Sequence, residues 1–470
     1  MHDLSSARRK TAEQSPPLRK NELYEITIDA LTNEGSGVGR IDGFAVFVPY
    51  AAPGDRLTVR IVKVLTRYAF GRIEQILSPS ADRIEQDCPS FGRCGGCALR
   101  HIDYAAELAQ KESQVRDAFI RIGGLHPEFE PILGSERTER YRNKAQYPFA
   151  ASPDGQVTAG FFAQRSHRVI ESADCSLQPA CFGQILAAVL EFANAYHLTA
   201  YDESSKRGLL RHLFLRQGET TGEIMVCFVL TRPALPHADE LIDRLTNAFP
   251  QISGILINYN PADTNVILGP GWQTLYGKDT LTDILCGIRL EIAAPAFYQV
   301  NAAQAERLYR TAGEYAMLTG GETIVDLYCG TGSIGLSLAH SAGRVIGVEI
   351  VPEAVENAWR NASANGIENI EFLCADAGQA AAQLVRDGLH PDVVIVDPPR
   401  KGCDQQTIGS ILAFQPSRIV MVSCNPATAA RDCRLLSQGG YVLQKVRPVD
   451  MFPRTSHVEC VVSLVKMDAS

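Results

Sequence analysis

The feature that most limits how this chain can fold is a regular alternation running through its last third. From about Ala296 onward, short apolar runs recur as IVDLYC, VIGVEI, IEFLCA, VVIVDPP and IVMVSC, each followed by a turn and then a helical pattern. Runs this apolar must be covered on both faces, and a helix between successive strands makes them parallel. The pattern predicts a doubly wound α/β sheet. The end departs from it: YVLQKVRPVDMF and HVECVVSLVKM follow one another with no helix between, which predicts an antiparallel hairpin at the sheet's edge.

The turns after these strands carry the chemistry. DLYCGTGSIG places Gly330, Gly332 and Gly335 in GxGxxG spacing, where missing side chains let backbone approach a ligand at a helix start. Glu349 closes the next strand, where a carboxylate can accept both hydroxyls of a ribose; Asp376, after the third strand, is placed to meet an adenine amino group. These features suit any adenosine-bearing cofactor. The fourth strand ends in Asp397-Pro398-Pro399-Arg400, and each proline fixes φ and removes an N–H, giving rigid backbone beside the ligand. Together with the antiparallel edge, this turn favours a methyl donor over a dinucleotide. Arg400 stands where an aromatic would stack a base for amino-group transfer, or a cysteine would serve cytosine C5, so a nucleophile must come from elsewhere.

Cys424 supplies it. It ends the fifth strand in IVMVSCNPATAARD, with Asn425 and Pro426 suited to a helix cap and first turn, and a helix start is expected to lower a thiol pKa. Covalent addition must be undone by removing a proton. Glu459 in RTSHVECVV is the candidate base, His457 its rival, and Arg454 a candidate phosphate contact.

Thirteen cysteines and no apolar leader in a basic start predict a cytosolic chain whose thiols serve metal, catalysis or the core. No stretch suggests a membrane span. Cys88, Cys94 and Cys97 in CPSFGRCGGC, with the distant Cys175, form a close-then-remote set; one CxxC with an extra upstream cysteine favours a [4Fe–4S] cluster over zinc, with Cys181 as the alternative fourth ligand. A net charge of -8 argues against indiscriminate coating of nucleic acid and leaves RNA contact to local patches. One such patch is Arg56, Arg60, Lys63, Arg67 and Arg72 in a stretch, Tyr24 to Leu77, that reads as a small barrel with a bulge near Ile61 and Val62.

In order, the barrel, the cysteines, FYQVN, DLYCGTG, DPPRKG, SCNP and HVE resemble the bacterial RNA (uracil-5-)-methyltransferases, particularly the TRAM-containing 23S rRNA members, over nearly the whole chain beyond the first twenty residues. The resemblance implies a class I S-adenosylmethionine-dependent methyltransferase domain over 291–470, Rossmann-like and seven-stranded with an antiparallel edge. Before it would come a basic flexible tail over 1–20, an OB-like TRAM barrel over 21–79 and a mixed α+β central domain over 80–290 bearing the iron–sulfur site. It implies that Gln299, Tyr328, Ser333, Glu349, Asp376 and Asp397 contact S-adenosylmethionine or the base beside it, with Gly330 in the cofactor loop. Cys424 would attack C6 of a uracil so that C5 accepts the methyl group, and Glu459 would remove the C5 proton. RYRNKAQ, with Arg140, Tyr141, Arg142, Lys144 and Tyr147, resembles the family's RNA-contacting region. The implied partner is RNA, 23S rRNA before tRNA, with no membrane and no obligate protein partner. A noncatalytic iron–sulfur RNA-binding protein is the rival from another class.

Overall fold

The computed structural model describes residues 17–467; most of the expected basic tail, residues 1–16, lies outside the described residues. The chain forms two compact units, one of residues up to 86 with 98–106, the other of 87–97 with 107 onward.

In the first unit β1 (Leu23–Leu31), β2 (Ser36–Ile41), β3 (Phe44–Pro49), β4 (Arg56–Val64) and β5 (Tyr68–Ser78) close a barrel in the order β1-β2-β3-β5-β4. Alternate residues Leu57, Val59 and Ile61 point inward and are fully buried, and the β4–β5 register slips between Ile61 and Lys63, where the alternation breaks. Leu99 and Ile102 pack with Leu31 and Ala52 in a small core of their own.

α1 (Tyr104–Asp117), whose first three residues belong to the first unit, runs into the second, where a π-helical turn (Ala118–Gly123) and β6 (Glu128–Phe129) follow. Next come β7 (Lys144–Ala151), β8 (Val157–Phe162), β9 (Val169–Glu171), α2 (Ala180–Ala195), β10 (Leu210–Gln217), β11 (Ile224–Leu230), α3 (Ala238–Ala248), β12 (Ile252–Tyr259) and β13 (Gly271–Gly277). They build a seven-stranded sheet, β13-β12-β11-β10-β7-β8-β9. Phe182, Ile185 and Val189 of α2 share a core with Leu213, Leu215 and Phe228 on one face of that sheet. A hairpin of β14 (Thr280–Leu285) and β15 (Ile288–Ala293) leads on.

The last part holds α4 (Ala302–Ala316), β16 (Thr323–Leu327), α5 (Ser333–Leu338), β17 (Arg344–Glu349), α6 (Pro352–Ala364), β18 (Ile370–Cys374), α7 (Ala377–Arg386), β19 (Val393–Val396), α8 (Gln405–Phe414), β20 (Arg418–Ser423), α9 (Pro426–Gln438), β21 (Tyr441–Val449) and β22 (Glu459–Lys466). The sheet runs β18-β17-β16-β19-β20-β22-β21-β6, with the first five strands parallel and β22 antiparallel to both neighbours. Ile324, Val345, Ile395 and Val420 face one core while Val325, Ile346, Val394 and Met421 face the other, the two-sided burial that made these runs wholly apolar. Seven strands were expected and eight are present. The eighth, β6, pairs parallel to β21 through two residues, too short to leave a periodic signal. No helix among the described residues is long and apolar enough to cross a membrane.

The chain leaves β16 toward β17 and β18, then returns to lay β19 on the other side. Such a reversal opens a crevice at the carboxyl ends of β16 and β19.

Candidate active site

Three residues after β16 take left-handed backbone: Tyr328 (φ 66°), Gly330 (φ 57°) and Gly332 (φ 79°). A Cβ on Gly332 would lie 2.9 Å from the Phe372 ring, whereas none of the surrounding atoms comes within 4 Å of a Cβ on Gly330. The loop is therefore pressed against the sheet at Gly332 and open at Gly330. Tyr328 is pinned by its hydroxyl to Thr407 Oγ1 at 3.2 Å, and Ser333 shares a 3.0 Å hydrogen bond with the buried Tyr309 of α4.

Carboxylates surround this cradle. Glu349 accepts the Gly330 N–H at 3.0 Å and the Ile350 and Val351 N–H groups at 2.9 Å each, so the residue expected on the ribose also anchors the loop. Asp376 caps α7 by accepting from Gln379 N at 3.1 Å. Asp326, not singled out from the sequence, is fully buried at the end of β16. Its Oδ2 accepts the Gly335 N–H at 3.0 Å, and its Oδ1 has no partner among the described residues. Burial, reinforced by Asp397 and Glu349, raises its pKa to about 7. An orphaned buried oxygen beside an open glycine cradle fits a polar ligand such as S-adenosylmethionine. Gln299, expected on the cofactor, is buried and takes a hydrogen bond from Asn143 on its backbone oxygen.

The residues expected to react gather across the crevice. β20 and β22 pair with Ser423 opposite Cys460, so the antiparallel register carries Cys424 opposite Glu459. Asn425 caps α9 by accepting from Ala427 N at 3.1 Å, and Pro426 opens the helix. Asp397 follows β19, which is parallel to β20. Burial holds Asp397 at about 7; burial and the nearby Asp397 hold Glu459 at about 8. The expectation of a lowered Cys424 pKa is corrected. Burial, then Glu459 and Asp397, push the thiol up, and Arg400 opposes them only in part. Burial, with two acids at close quarters, outweighs one helix start. His457, the rival base, is exposed, and its pKa is lowered by partial burial and by Arg400, Lys111 and Arg142.

Residues 286–467 match the family described as tRNA (uracil-5-)-methyltransferase, and residues 17–73 match the TRAM domain. An RNA methyltransferase of Halalkalibacterium halodurans is 45% identical over 96% of this chain and 99% of its own, and one of Listeria innocua is 44% identical over 95% and 98%. The chain belongs to the tRNA (uracil-5-)-methyltransferase family. It is an S-adenosylmethionine-dependent RNA methyltransferase with a TRAM domain. Among solved structures, the tRNA (uracil-54, C5)-methyltransferase of Pyrococcus abyssi in complex with S-adenosyl-L-homocysteine is similar with a TM-score of 0.76 and 28% identity, over 94% of this chain and all of that one.

Several residues expected to contact RNA have partners within the protein. Tyr141 and Tyr147 are core residues, bonded to Pro453 O at 2.9 Å and to Gln178, because their strand surface is covered rather than solvated. Arg140 is held by Asp174 at 2.6 and 2.7 Å, and Arg454 lies 3.7 Å from the buried Glu107. Lys144 is lowered to about 8 by burial, then Arg216 and Arg142. On the barrel, Arg60 and Arg72 share Glu74 at 2.9 and 2.7 Å and Arg56 lies 3.8 Å from Glu25, which leaves Lys63 and Arg67 exposed and unpaired among the described residues.

The cysteine set is only partly gathered. Cys88 lies close enough to Cys94 to raise its pKa, after burial, and Gly96 N–H donates to the Cys94 sulfur at 3.4 Å. Cys97 acts electrostatically on Tyr141, and Cys175 on Tyr147. Among the described residues, no three His, Cys, Asp or Glu side chains stand together as a metal site.

Proposed function

We propose that this protein transfers a methyl group from S-adenosylmethionine to C5 of a uridine in RNA through a covalent bond between Cys424 and C6 of the uracil. The observation that carries the reading is the register that sets Cys424 opposite Glu459, with Asp397 and the glycine cradle beside them. Cys424 Sγ gives its proton to solvent water and adds as the thiolate to C6, and the C5=C6 electron pair moves into the enolate toward O4. Asp397, protonated near neutral pH, donates to the uracil edge and stabilises that charge. C5 then takes the methyl group, S-adenosylhomocysteine leaves, Glu459 accepts the C5 proton, and the C6–S bond breaks as C5=C6 re-forms. Gln299, Tyr328, Gly330, Ser333, Glu349 and Asp376 hold the methyl donor, and Asp326 joins them through its unpartnered oxygen.

RNA carrying 5-fluorouridine tests the chemistry. Fluorine replaces the proton that Glu459 must remove, so a covalent complex through Cys424 is expected, and its absence with active enzyme overturns the mechanism. For the target we propose 23S rRNA, on the combination of TRAM barrel and cysteine loop. A tRNA substrate is the second reading, favoured by the likeness to the tRNA-modifying Pyrococcus enzyme. Mass mapping of 5-methyluridine in rRNA and tRNA from cells with and without the protein decides between them.

For Cys88, Cys94, Cys97 and Cys175 we propose a [4Fe–4S] cluster. Support comes from the all-thiolate donor set, the proximity of Cys88 to Cys94 and the N–H on the Cys94 sulfur, a bond that tunes such clusters. No step of methyl transfer passes through the cluster. Iron and acid-labile sulfide in anaerobically purified protein, lost in Cys94→Ser, are the expected result; zinc instead of iron overturns it.

A further inference from the structure

The central sheet carries a second cleft that the chemistry above does not use. A cavity of about 400 Å³ opens beside β7, β8 and β10 and the turn at 200–204, within the range of about 300–1,000 Å³ usual for ligand sites. Its lining includes Phe162, His167, Arg168, Tyr201, Arg211 and His212.

The rings are arranged as walls. Phe162 and His167 stack with centroids 5.2 Å apart, His212 meets Phe162 edge-on at 6.4 Å, and Tyr201 is held by the Arg211 guanidinium 4.6 Å above its centroid. Arg211 is itself fixed by three backbone carbonyls, those of Asn260, Ala262 and Thr264. His212 stands out. Both of its ring nitrogens are buried and hydrogen-bonded to nothing among the described residues, and burial with the adjacent Arg211 lowers its pKa to about 4, so the imidazole is neutral. A neutral imidazole offers one donor and one acceptor, and an unmet pair in a cavity is costly unless a ligand meets it. Asp202 and Glu203 also line the cavity, Glu203 lying 2.8 Å from His167 Nδ1, while Arg168 is exposed there and has no ion-pair partner among the described residues.

Position narrows the ligand. His212 shares its sheet face with Phe214 and Arg216, and Arg216 bonds Ala293 O and Ala296 O, which lead into the catalytic domain. Four residues of strand place the cleft about 13 Å along that face from Arg216. The cysteine loop abuts the same wall, since Gly95 N–H donates to Phe162 O at 3.0 Å. Aromatic walls, a donor–acceptor edge and one free cation are what an unstacked nucleotide presents itself to.

We propose that this cleft takes one extruded nucleotide of the RNA substrate, other than the uridine being methylated. Its base lies against the aromatic walls with its edge on His212, and its phosphate meets Arg168. The proposal rests on the RNA-methylating reading.

The test uses full-length protein with total RNA from cells lacking it. Ultraviolet crosslinking followed by peptide mapping is expected to mark the segments around Phe162 or Tyr201. His212→Phe, which keeps a ring and removes both nitrogens, and the surface change Arg168→Ala are each expected to weaken RNA binding about 10-fold, with S-adenosylhomocysteine affinity and the 5-fluorouridine adduct at saturating RNA unchanged. Unaltered RNA affinity in both variants overturns the proposal. So does saturable binding of a free nucleoside monophosphate that His212→Phe abolishes while RNA affinity stays the same, which assigns the cleft to a small nucleotide. Failure of the adduct in the unmodified protein indicts the methylation reading and leaves crosslinking to judge the cleft.

Discussion

Asp326 illustrates what a single side chain carries here. Its buried carboxylate holds the Gly335 N–H and keeps one oxygen free of partners among the described residues. Asp326→Ala leaves that N–H unpaired, a loss of about 1–3 kcal/mol, and is expected to weaken S-adenosylmethionine binding about 10-fold or more, read by equilibrium titration. Glu459→Gln removes the proposed proton acceptor. Turnover should fall by about 10²–10⁴, and the Cys424 adduct should accumulate on ordinary RNA; prompt product release by this variant points to His457 or water instead. Motif position made Cys424, Asp397 and Glu459 legible as candidates in the sequence. Asp326 and Tyr309 were not, since an aspartate inside an apolar strand and a tyrosine on a buried helix face look the same whether they line a site or a core.

At the scale of elements, two features hold their surroundings. The turn after β16 depends on Gly332, whose left-handed backbone and closeness to Phe372 leave no room for a side chain. Gly332→Ala is expected to cost about 1–2 kcal/mol from backbone strain alone, seen as a lower denaturation midpoint. In the barrel, burial would raise the Asp55 pKa, but Arg83 at 2.5 Å and the Ala52 and Ser80 N–H groups bring it below its ordinary value. Asp55→Ala leaves the largely buried Arg83 without its carboxylate and should cost about 3–5 kcal/mol. That stability is present above the unfolded carboxylate pKa and lost as pH falls through the lower folded one, so the barrel's contribution should decline in acid. The Asp55–Arg83 pair was not visible in the sequence, because its partners are 28 residues apart. The barrel itself was, through alternation and the phase slip near Ile61 and Val62.

For the whole molecule, the acid pair sets the pH response. Asp397 and Glu459 have pKa values raised by burial to about 7 and 8, above those of the unfolded chain. Their sign is opposite to Asp55: folding is favoured while they are protonated, and stability is lost as pH rises toward 8. Without ligand, Glu459→Gln should narrow the fall in Tm between pH 6 and pH 9 in scanning calorimetry. Catalysis runs the other way. In the proposed mechanism Cys424 must lose a proton from a raised pKa and Glu459 must be ionised to accept one, while Asp397 must keep its proton to donate, so single-turnover methylation should climb with pH to a maximum between about 7 and 8 and decline beyond it; a rate that falls steadily from pH 6 contradicts the Cys424 and Glu459 assignments.

The sequence by itself determined the doubly wound sheet, the barrel and the order of the motifs, because two-sided burial and strand–turn–helix punctuation are written in local periodicity. Only the tertiary structure decided what those residues face. It made Tyr141 and Tyr147 core, bound Arg140 to Asp174, added β6 to the sheet edge and gathered Cys424 with two acids that raise its pKa. Each of these depends on partners far away in the chain, and the desolvation and charge that fix their chemistry exist only once those partners have met.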